Sequence, residues 1–142
     1  MKNNLVNKLE IFWKEKSKLI HWIKKPKKII RKRIFYEDGT LNASYNCLKK
    51  NIKEGLGDKI AIVYVDKNGS FLKLTYNELE NLVDHFINYL LVNFSKKELS
   101  NNIIAIHSSA NIISSISMLA CAKLGITHCV LFEDLSKEAI EI

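Results

Sequence analysis

The sequence predicts an α/β fold, and its clearest sign is a β-hairpin near the middle of the chain. Residues 60–65 and 71–74 are rich in β-branched and aromatic side chains, which favour strands. Between them lies Asp66-Lys67-Asn68-Gly69, which is a turn sequence because Asn-Gly accepts positive φ. The two strands are therefore expected to pair antiparallel.

A β-α-β unit is the second sign of this fold class. Residues 103–106 and 127–132 have the pattern of short strands, and residues 111–124 between them that of a helix ending at Gly125. This order favours two parallel strands joined by a right-handed crossover. Ser136 is a candidate cap for one more helix.

The third sign is an N-terminal helical extension. Apolar residues recur at helical spacing over residues 5–23, and Pro26 is expected to end this helix because the residue before a proline disfavours helical geometry. The Lys-rich stretch 24–33 then follows as a cationic connector. The predicted apolar stripe of the helix comprises Val6, Leu9, Trp13, Ile20 and Ile23.

One more helix is predicted before the hairpin and another after it. The first is expected to start at Asn42 as its N-cap and to close at Gly55 or Gly57. Its apolar face consists of Tyr45, Leu48 and Ile52. The second starts at a capping box formed by Thr75 and Glu78 and runs to about residue 93. Its predicted buried stripe is Leu79, Leu82, Val83, Phe86, Leu90 and Leu91.

These elements are too few to complete an α/β domain. Parallel sheets are normally covered by helices on both faces, and the predicted helices cannot cover all the strands. The strand at 127–132 is therefore expected to present an unpaired edge and an uncovered face. The sequence indicates the opening part of a fold, with weak and aggregation-prone folding.

The positive charge is concentrated at one end of the chain. The net charge is +7, yet residues 1–33 hold 12 basic and two acidic residues while the rest is slightly acidic. One interpretation is an arm that binds nucleic acid or an anionic membrane. The favoured interpretation is compositional bias, because Lys, Asn and Ile together fill 53 of 142 positions.

Cysteine use and hydropathy point to a reducing cytoplasm. The three cysteines, Cys47, Cys121 and Cys129, are odd in number and lack zinc-ligand spacing, so each is expected to be a small buried apolar residue. No apolar run approaches the roughly 20 residues that span a bilayer. No signal-peptide pattern is visible at the N-terminus.

Other chemistry-bearing residues are better explained by structure. His107, Ser108 and Ser109 are expected to form a loop at a strand end, because adjacent residues on a strand point to opposite faces and cannot pair as base and nucleophile. Cys121, His128 and Cys129 are too few and too apolar in setting for a metal site. Glu133 and Asp134, as adjacent carboxylates before a helix, are expected to be solvated. The aromatic residues near the basic arm, which could stack on bases, are expected to pack together: Trp13, Trp22, Phe35 and Tyr36.

Several of these segments, in this order, resemble one family. Residues 35–48, Phe-Tyr-Glu-Asp-Gly-Thr-Leu-Asn-Ala-Ser-Tyr-Asn-Cys-Leu, resemble a signature of acetyl-CoA synthetases. So do Gly-Asp-Lys-Ile-Ala-Ile at 57–62, Leu-Thr-Tyr-Asn-Glu-Leu at 74–79 and residues 118–125 with the strand that follows. Trp-Ile-Lys-Lys-Pro at 22–26 also fits the family. The resemblance covers about residues 10–142 and implies the incomplete N-terminal part of the large domain of adenylate-forming enzymes.

The resemblance implies two domains and a known reaction for the full-length relatives. Residues 1–56 would be the N-terminal helical extension, and residues 57–142 the start of the AMP-binding domain. The full-length relatives convert acetate, ATP and coenzyme A to acetyl-CoA, AMP and pyrophosphate with magnesium. Their Gly-rich phosphate loop and catalytic lysine have no counterpart in these 142 residues, so no catalytic residue and no cofactor are expected for this chain alone.

One family site falls within the sequence. After the strand at 127–131 the family has a Phe-Gly-Gly-Phe loop that lines the coenzyme A pocket, and here Phe132, Glu133 and Asp134 stand in its first three positions. Two carboxylates in place of two glycines would repel a phosphorylated ligand.

Three hypotheses follow from these patterns. The first is a truncated acetyl-CoA synthetase relative that is inactive by itself. The second is a small Lys-rich module that binds nucleic acid or anionic lipid. The third is a part that requires a second, complementing chain for activity.

Overall fold

A computed structural model describes residues 2–32, 34–109 and 111–140. The chain forms two compact units, Met1–Asn42 and Ala43–Ile142. The domain boundary that the resemblance implies between residues 56 and 57 stays a prediction. Helices and strands are mixed, as expected for the α/β class, and within the described ranges there are three small sheets of two strands each.

In the first unit, residues 2–32 and 34–42 form one helix and one short antiparallel strand pair. Helix α1 spans Lys2–Ser17, and strands β1 and β2 span Ile30–Arg31 and Ile34–Phe35. The predicted connector at 24–33 therefore contains a strand, although its last residue, Arg33, lies outside the described residues. Lys24 forms an isolated antiparallel bridge with Thr40.

The prediction that the first helix reaches residue 23 is wrong. After Ser17 the backbone turns tightly, and the Trp22 indole donates to the Ser17 carbonyl at 2.9 Å. The backbone N–H groups of Ile23 and Lys24 donate to the Thr40 carbonyl instead of continuing a helix. Tertiary partners thus satisfy the groups that a longer helix would have used.

The predicted apolar stripe of α1 is only partly buried. Leu9 and Ile23 are exposed, whereas Trp13 and Ile20 are half-buried. The side chain of Val6 lies outside the described residues.

The second unit holds the remaining elements. After α2 (Ala43–Cys47) and α3 (Lys49–Asn51) come a π-helical turn (Ile52–Leu56) and the strands β3 (Ile60–Val65) and β4 (Phe71–Thr75). The helices α4 (Tyr76–Asn93) and α5 (Lys96–Asn101) follow. The last elements are β5 (Ile104–His107), α6 (Ile112–Leu124), β6 (His128–Leu131) and α7 (Lys137–Ile140).

The helix predicted after Asn42 is divided into three short pieces. Of the three residues on its expected apolar face, Leu48 is fully buried, and Tyr45 and Ile52 are half-buried. Gly55 has φ of +82°, a conformation that few other residues adopt without strain, and it interrupts the helical geometry inside the π-helical turn, which closes at Gly57.

The predicted hairpin is confirmed. Strands β3 and β4 pair antiparallel, with Val63 opposite Lys73 and Val65 opposite Phe71. In the turn, the Asp66 carboxylate accepts from the backbone N–H groups of Asn68 and Ser70, and Gly69 has φ of +81°. These side-chain bonds fix the turn locally, which explains why sequence alone could place it.

Helix α4 begins with the predicted capping box, in which Thr75 and Glu78 bond reciprocally. Its buried face differs from the prediction. Leu82 and Leu91 are exposed, while Ile87 and Glu80 are buried. The difference arises because α6 packs along the Glu80 side of α4 and supplies Lys123 as a partner for that carboxylate.

Helix α5 was not predicted. It starts with a second capping box, formed by Ser95 and Glu98, and buries Leu99. The same Ser-x-x-Glu signature was present in the sequence and could have located it.

The β-α-β unit is confirmed with its two strands parallel. Ile104 lies opposite His128, and His107 lies opposite Leu131. Gly125 ends α6 in the left-handed region, with φ of +72°. The core between α4, α6 and the hairpin consists of Leu48, Leu74, Leu79, Val83, Ile87, Ile116 and Ala120.

Candidate functional site at the ends of the parallel strands

The carboxyl ends of β5 and β6 open into a groove of about 620 Å³. Parallel pairing brings the residues that follow both strands to the same edge of the sheet, where α/β proteins commonly bind ligands. Ser108 and Ser109 follow β5, and Phe132, Glu133 and Asp134 follow β6. Residues 62–64 of the hairpin and the first turns of α6 complete the lining.

A hydrogen-bond network fixes the loop between β5 and α6. The Asn111 side chain caps α6 by accepting from the Ser114 backbone N–H at 3.1 Å. Its amide nitrogen donates to the hydroxyls of Ser108 at 3.0 Å and Ser109 at 3.1 Å. The Ser114 hydroxyl donates to the Ser109 carbonyl at 2.9 Å. These bonds join the polar groups of Ser108, Ser109, Asn111 and Ser114 to one another at one side of the groove.

The three predicted site residues lie together on the rim. Phe132 is 82% exposed, and Glu133 and Asp134 are exposed as well. Their role in coenzyme A binding stays a prediction. Among the described residues, the groove lining contains these two carboxylates and no basic side chain, so its rim is negatively charged.

Sequence reasoning missed the other members of the groove. Ser108 and Ser109 were assigned only to a loop, and Tyr64 was assigned to a hairpin strand. The available signal was the topology, since residues that end two parallel strands must lie at one sheet edge. The position of the hairpin beside that edge had no sequence signal.

A charged cluster lies between α4 and α6, away from the strand ends. The Lys123 ammonium donates to the carboxylates of Glu80 and Asp84, and Lys49 lies 3.9 Å from Glu80. Partial burial by itself would lower the pKa of Lys123, but the hydrogen bonds that its ammonium donates to both carboxylates outweigh this effect and raise the pKa. The cluster ties two helices together.

The cysteines do not share the buried setting that was predicted. Cys121 is fully buried, and this burial raises the pKa of its thiol. Cys47 and Cys129 are exposed, because Cys47 ends a short helix and Cys129 lies on a sheet of only two strands. Across residues 2–32, 34–109 and 111–140, no group of three or more His, Cys, Asp or Glu side chains is arranged to hold a metal ion.

The aromatic residues of the first unit pack against one another. The rings of Trp13 and Phe35 lie 5.2 Å apart edge to face, and those of Trp22 and Tyr36 lie 5.2 Å apart. The Tyr36 hydroxyl donates to the Trp13 carbonyl at 2.7 Å. This arrangement agrees with the expectation that these rings pack rather than stack on bases.

Comparison of folds finds a solved structure that resembles nearly the whole chain. Acetoacetyl-CoA synthetase from Streptomyces lividans superimposes on 94% of the chain, with a TM-score of 0.76 and 16% identity. The match covers 21% of that enzyme. The chain therefore has the fold of the N-terminal part of an acyl-CoA synthetase.

Comparison of sequences identifies the family. A family profile described as acetyl-coenzyme A synthetase N-terminus matches residues 1–47. Acetyl-coenzyme A synthetase of Cupriavidus necator is 36% identical over 138 residues, which cover 93% of this chain and 20% of that enzyme. The Escherichia coli K12 enzyme is 35% identical over 144 residues, covering 95% of this chain and 22% of its own length. The chain is homologous to the N-terminal part of AMP-forming acetyl-CoA synthetases and spans about a fifth of their length.

In the part of the chain that the structure describes, none of the helices is both long enough and apolar enough to cross a bilayer.

Proposed function

We propose that these 142 residues serve as the N-terminal part of an acetate–CoA ligase and do not form acetyl-adenylate by themselves. The observation that carries this proposal is the combination of homology along nearly the whole chain with the glycine content. Five glycines are present, and no two of them are adjacent. A triphosphate cradle needs successive backbone N–H groups that converge on oxygen atoms, which Gly-rich loops provide.

The strand-end groove does not replace such a loop. The N-terminus of α6 is occupied by its own Asn111 cap, and the groove rim carries Glu133 and Asp134. Negative charge at this rim opposes ATP and the phosphorylated end of coenzyme A alike. Adenylation and thiol transfer, with ATP, magnesium and coenzyme A, therefore belong to the complete synthetase.

The direct test is acetyl-hydroxamate formation from acetate, ATP, magnesium and hydroxylamine. The purified 142-residue polypeptide is expected to give no product above the enzyme-free rate, with the Escherichia coli acetyl-CoA synthetase as the positive control. Product formation that scales with the concentration of the polypeptide would refute the proposal.

Complementation by a second chain is the other candidate function, and exposed apolar side chains favour it. Val63 and Phe71 on the hairpin and Val130 on β6 are each more than half exposed. A partner polypeptide with the remaining synthetase sequence would cover them and gain the free energy of their burial.

Mixing experiments decide this candidate. The polypeptide should restore hydroxamate formation to an Escherichia coli acetyl-CoA synthetase that lacks its own N-terminal fifth. A Val63→Asp/Val130→Asp variant should restore much less. If the native N-terminal fifth of the Escherichia coli enzyme restores activity and this polypeptide does not, complementation is wrong.

A further inference from the structure

A second cavity, of about 360 Å³, lies entirely within the unit Met1–Asn42. It is formed by the C-terminal end of α1 and residues 20–29. Three lysines line it, namely Lys14, Lys18 and Lys25, together with the apolar Trp22, Pro26 and Ile29. Its size is at the lower end of the range for small-molecule sites, roughly 300–1,000 Å³.

The apolar side of this cavity is held in place by several contacts. The Trp22 indole donates to the Ser17 carbonyl at 2.9 Å, and its ring lies 5.2 Å from that of Tyr36. A Cβ on Gly39 would lie 2.8 Å from the Trp22 ring, which shows how closely the backbone packs there. A ligand would therefore meet a wall that is already ordered, so little conformational entropy is lost on binding.

The charge balance of the cavity is positive. Lys18 is paired with Glu15 at 2.7 Å, whereas Lys14 and Lys25 form no ion pair with any residue in the described ranges. The C-terminal end of a helix carries only about half a negative charge. Two uncompensated ammonium groups outweigh that partial charge, so the cavity attracts anions.

We propose that this cavity binds a small organic anion, with Lys14 and Lys25 contacting a phosphate or carboxylate group and the Trp22 wall contacting an attached flat apolar group. Charge alone would attract any anion, but the apolar wall adds free energy only for a ligand with apolar surface. The site is independent of the proposed synthetase role, because it lies far along the sequence from the strand-end groove and uses no residue of it.

The test is a titration of the 142-residue chain with phenyl phosphate at low ionic strength. The indole N–H signal of Trp22 in proton–nitrogen NMR spectra should shift saturably, with the signal of Trp13 as an internal reference. Inorganic phosphate and phenol, which each present half of the ligand, should bind more weakly than phenyl phosphate.

Lysine variants give the matched comparison. Lys14→Gln/Lys25→Gln should weaken phenyl phosphate binding about fivefold, the effect of losing two exposed charge contacts. Lys14→Arg/Lys25→Arg should retain binding, and Lys67→Gln/Lys96→Gln, with the same change in net charge, should leave it unchanged. All four exchanged side chains are exposed, so the fold is expected to survive. Equal affinity for the Gln variant and the unmodified chain would overturn the proposal, as would equal weakening by the two Gln pairs.

Discussion

At the scale of single residues, close packing explains one of the family-like motifs. Gly39 follows Asp38, whose carboxylate accepts from the backbone N–H groups of Lys27 and Lys28. A Cβ at Gly39 would lie 2.8 Å from the Trp22 ring and 3.2 Å from Pro26. Glycine is needed at this position because the chain passes too close to these rings for any side chain.

Gly39→Ala is expected to destabilise the first unit by about 1–3 kcal/mol, the usual cost of overpacking a rigid contact. Tryptophan fluorescence during thermal unfolding measures the change. Gly55→Ala is the comparison, because Gly55 has open space around it, so its alanine variant introduces backbone strain at φ of +82° but no close contact. If Gly39→Ala leaves the melting temperature unchanged, the close contact with Trp22 is not real.

Ser44 lies in the family signature, but its buried hydroxyl has no structural explanation. Its hydroxyl is buried without a hydrogen-bond partner in the described part of the chain, in the Ser-Tyr-Asn-Cys part of the family signature. An unsatisfied buried hydroxyl normally costs stability. Nothing in the contacts of Ser44 gives a reason for serine at this position.

At the scale of elements, the pairing of α4 with α6 depends on one ion cluster. Lys123→Met would leave the Glu80 carboxylate buried with only the more distant Lys49 beside it. We expect a loss of about 1–3 kcal/mol in the free energy of unfolding by urea. Asp84→Asn is the control and should cost less than about 1 kcal/mol, because Asp84 is half exposed. Equal effects of the two changes would contradict this account.

The pH dependence of this cluster has a defined sign. Because the pKa of Lys123 is raised in the folded state, its contribution is fully present below the ordinary lysine pKa of 10.5. That contribution is lost as pH rises through the raised pKa. Raising the pH through this range should therefore lower the free energy of unfolding of the unmodified chain more than that of the Lys123→Met variant. Urea unfolding at a series of alkaline pH values measures the difference.

Elements with local signals were predictable, and those that depend on distant partners were not. The hairpin turn and the Thr75 capping box are specified by residues within four positions of one another. The end of α1 at Ser17 depends on Thr40 and Trp22, which no local pattern links to it. The parallel topology was sufficient to bring the strand ends of the groove together, although this was not predicted, and the approach of Tyr64 to them had no sequence signal.

At the scale of the whole molecule, exposed apolar surface is the main liability. Val130 on β6 is 51% exposed at a sheet with only two strands, a setting that invites pairing with another chain. Val130→Lys should reduce aggregation, measured by light scattering during storage, without lowering the unfolding midpoint. Val92→Lys removes a comparable exposed side chain from a helix, so it should reduce aggregation much less. An equal reduction of aggregation by both changes would show that strand β6 is not the main site of aggregation.

The central claim is that these 142 residues build no cradle for the triphosphate of ATP. Isothermal titration calorimetry of ATP, with and without magnesium, tests it most directly. The Lys14→Gln/Lys25→Gln chain is the sample to use, because the lysine-lined cavity then contributes least. We predict no saturable heat that requires magnesium. Saturable, magnesium-dependent binding of ATP by this chain would contradict the account.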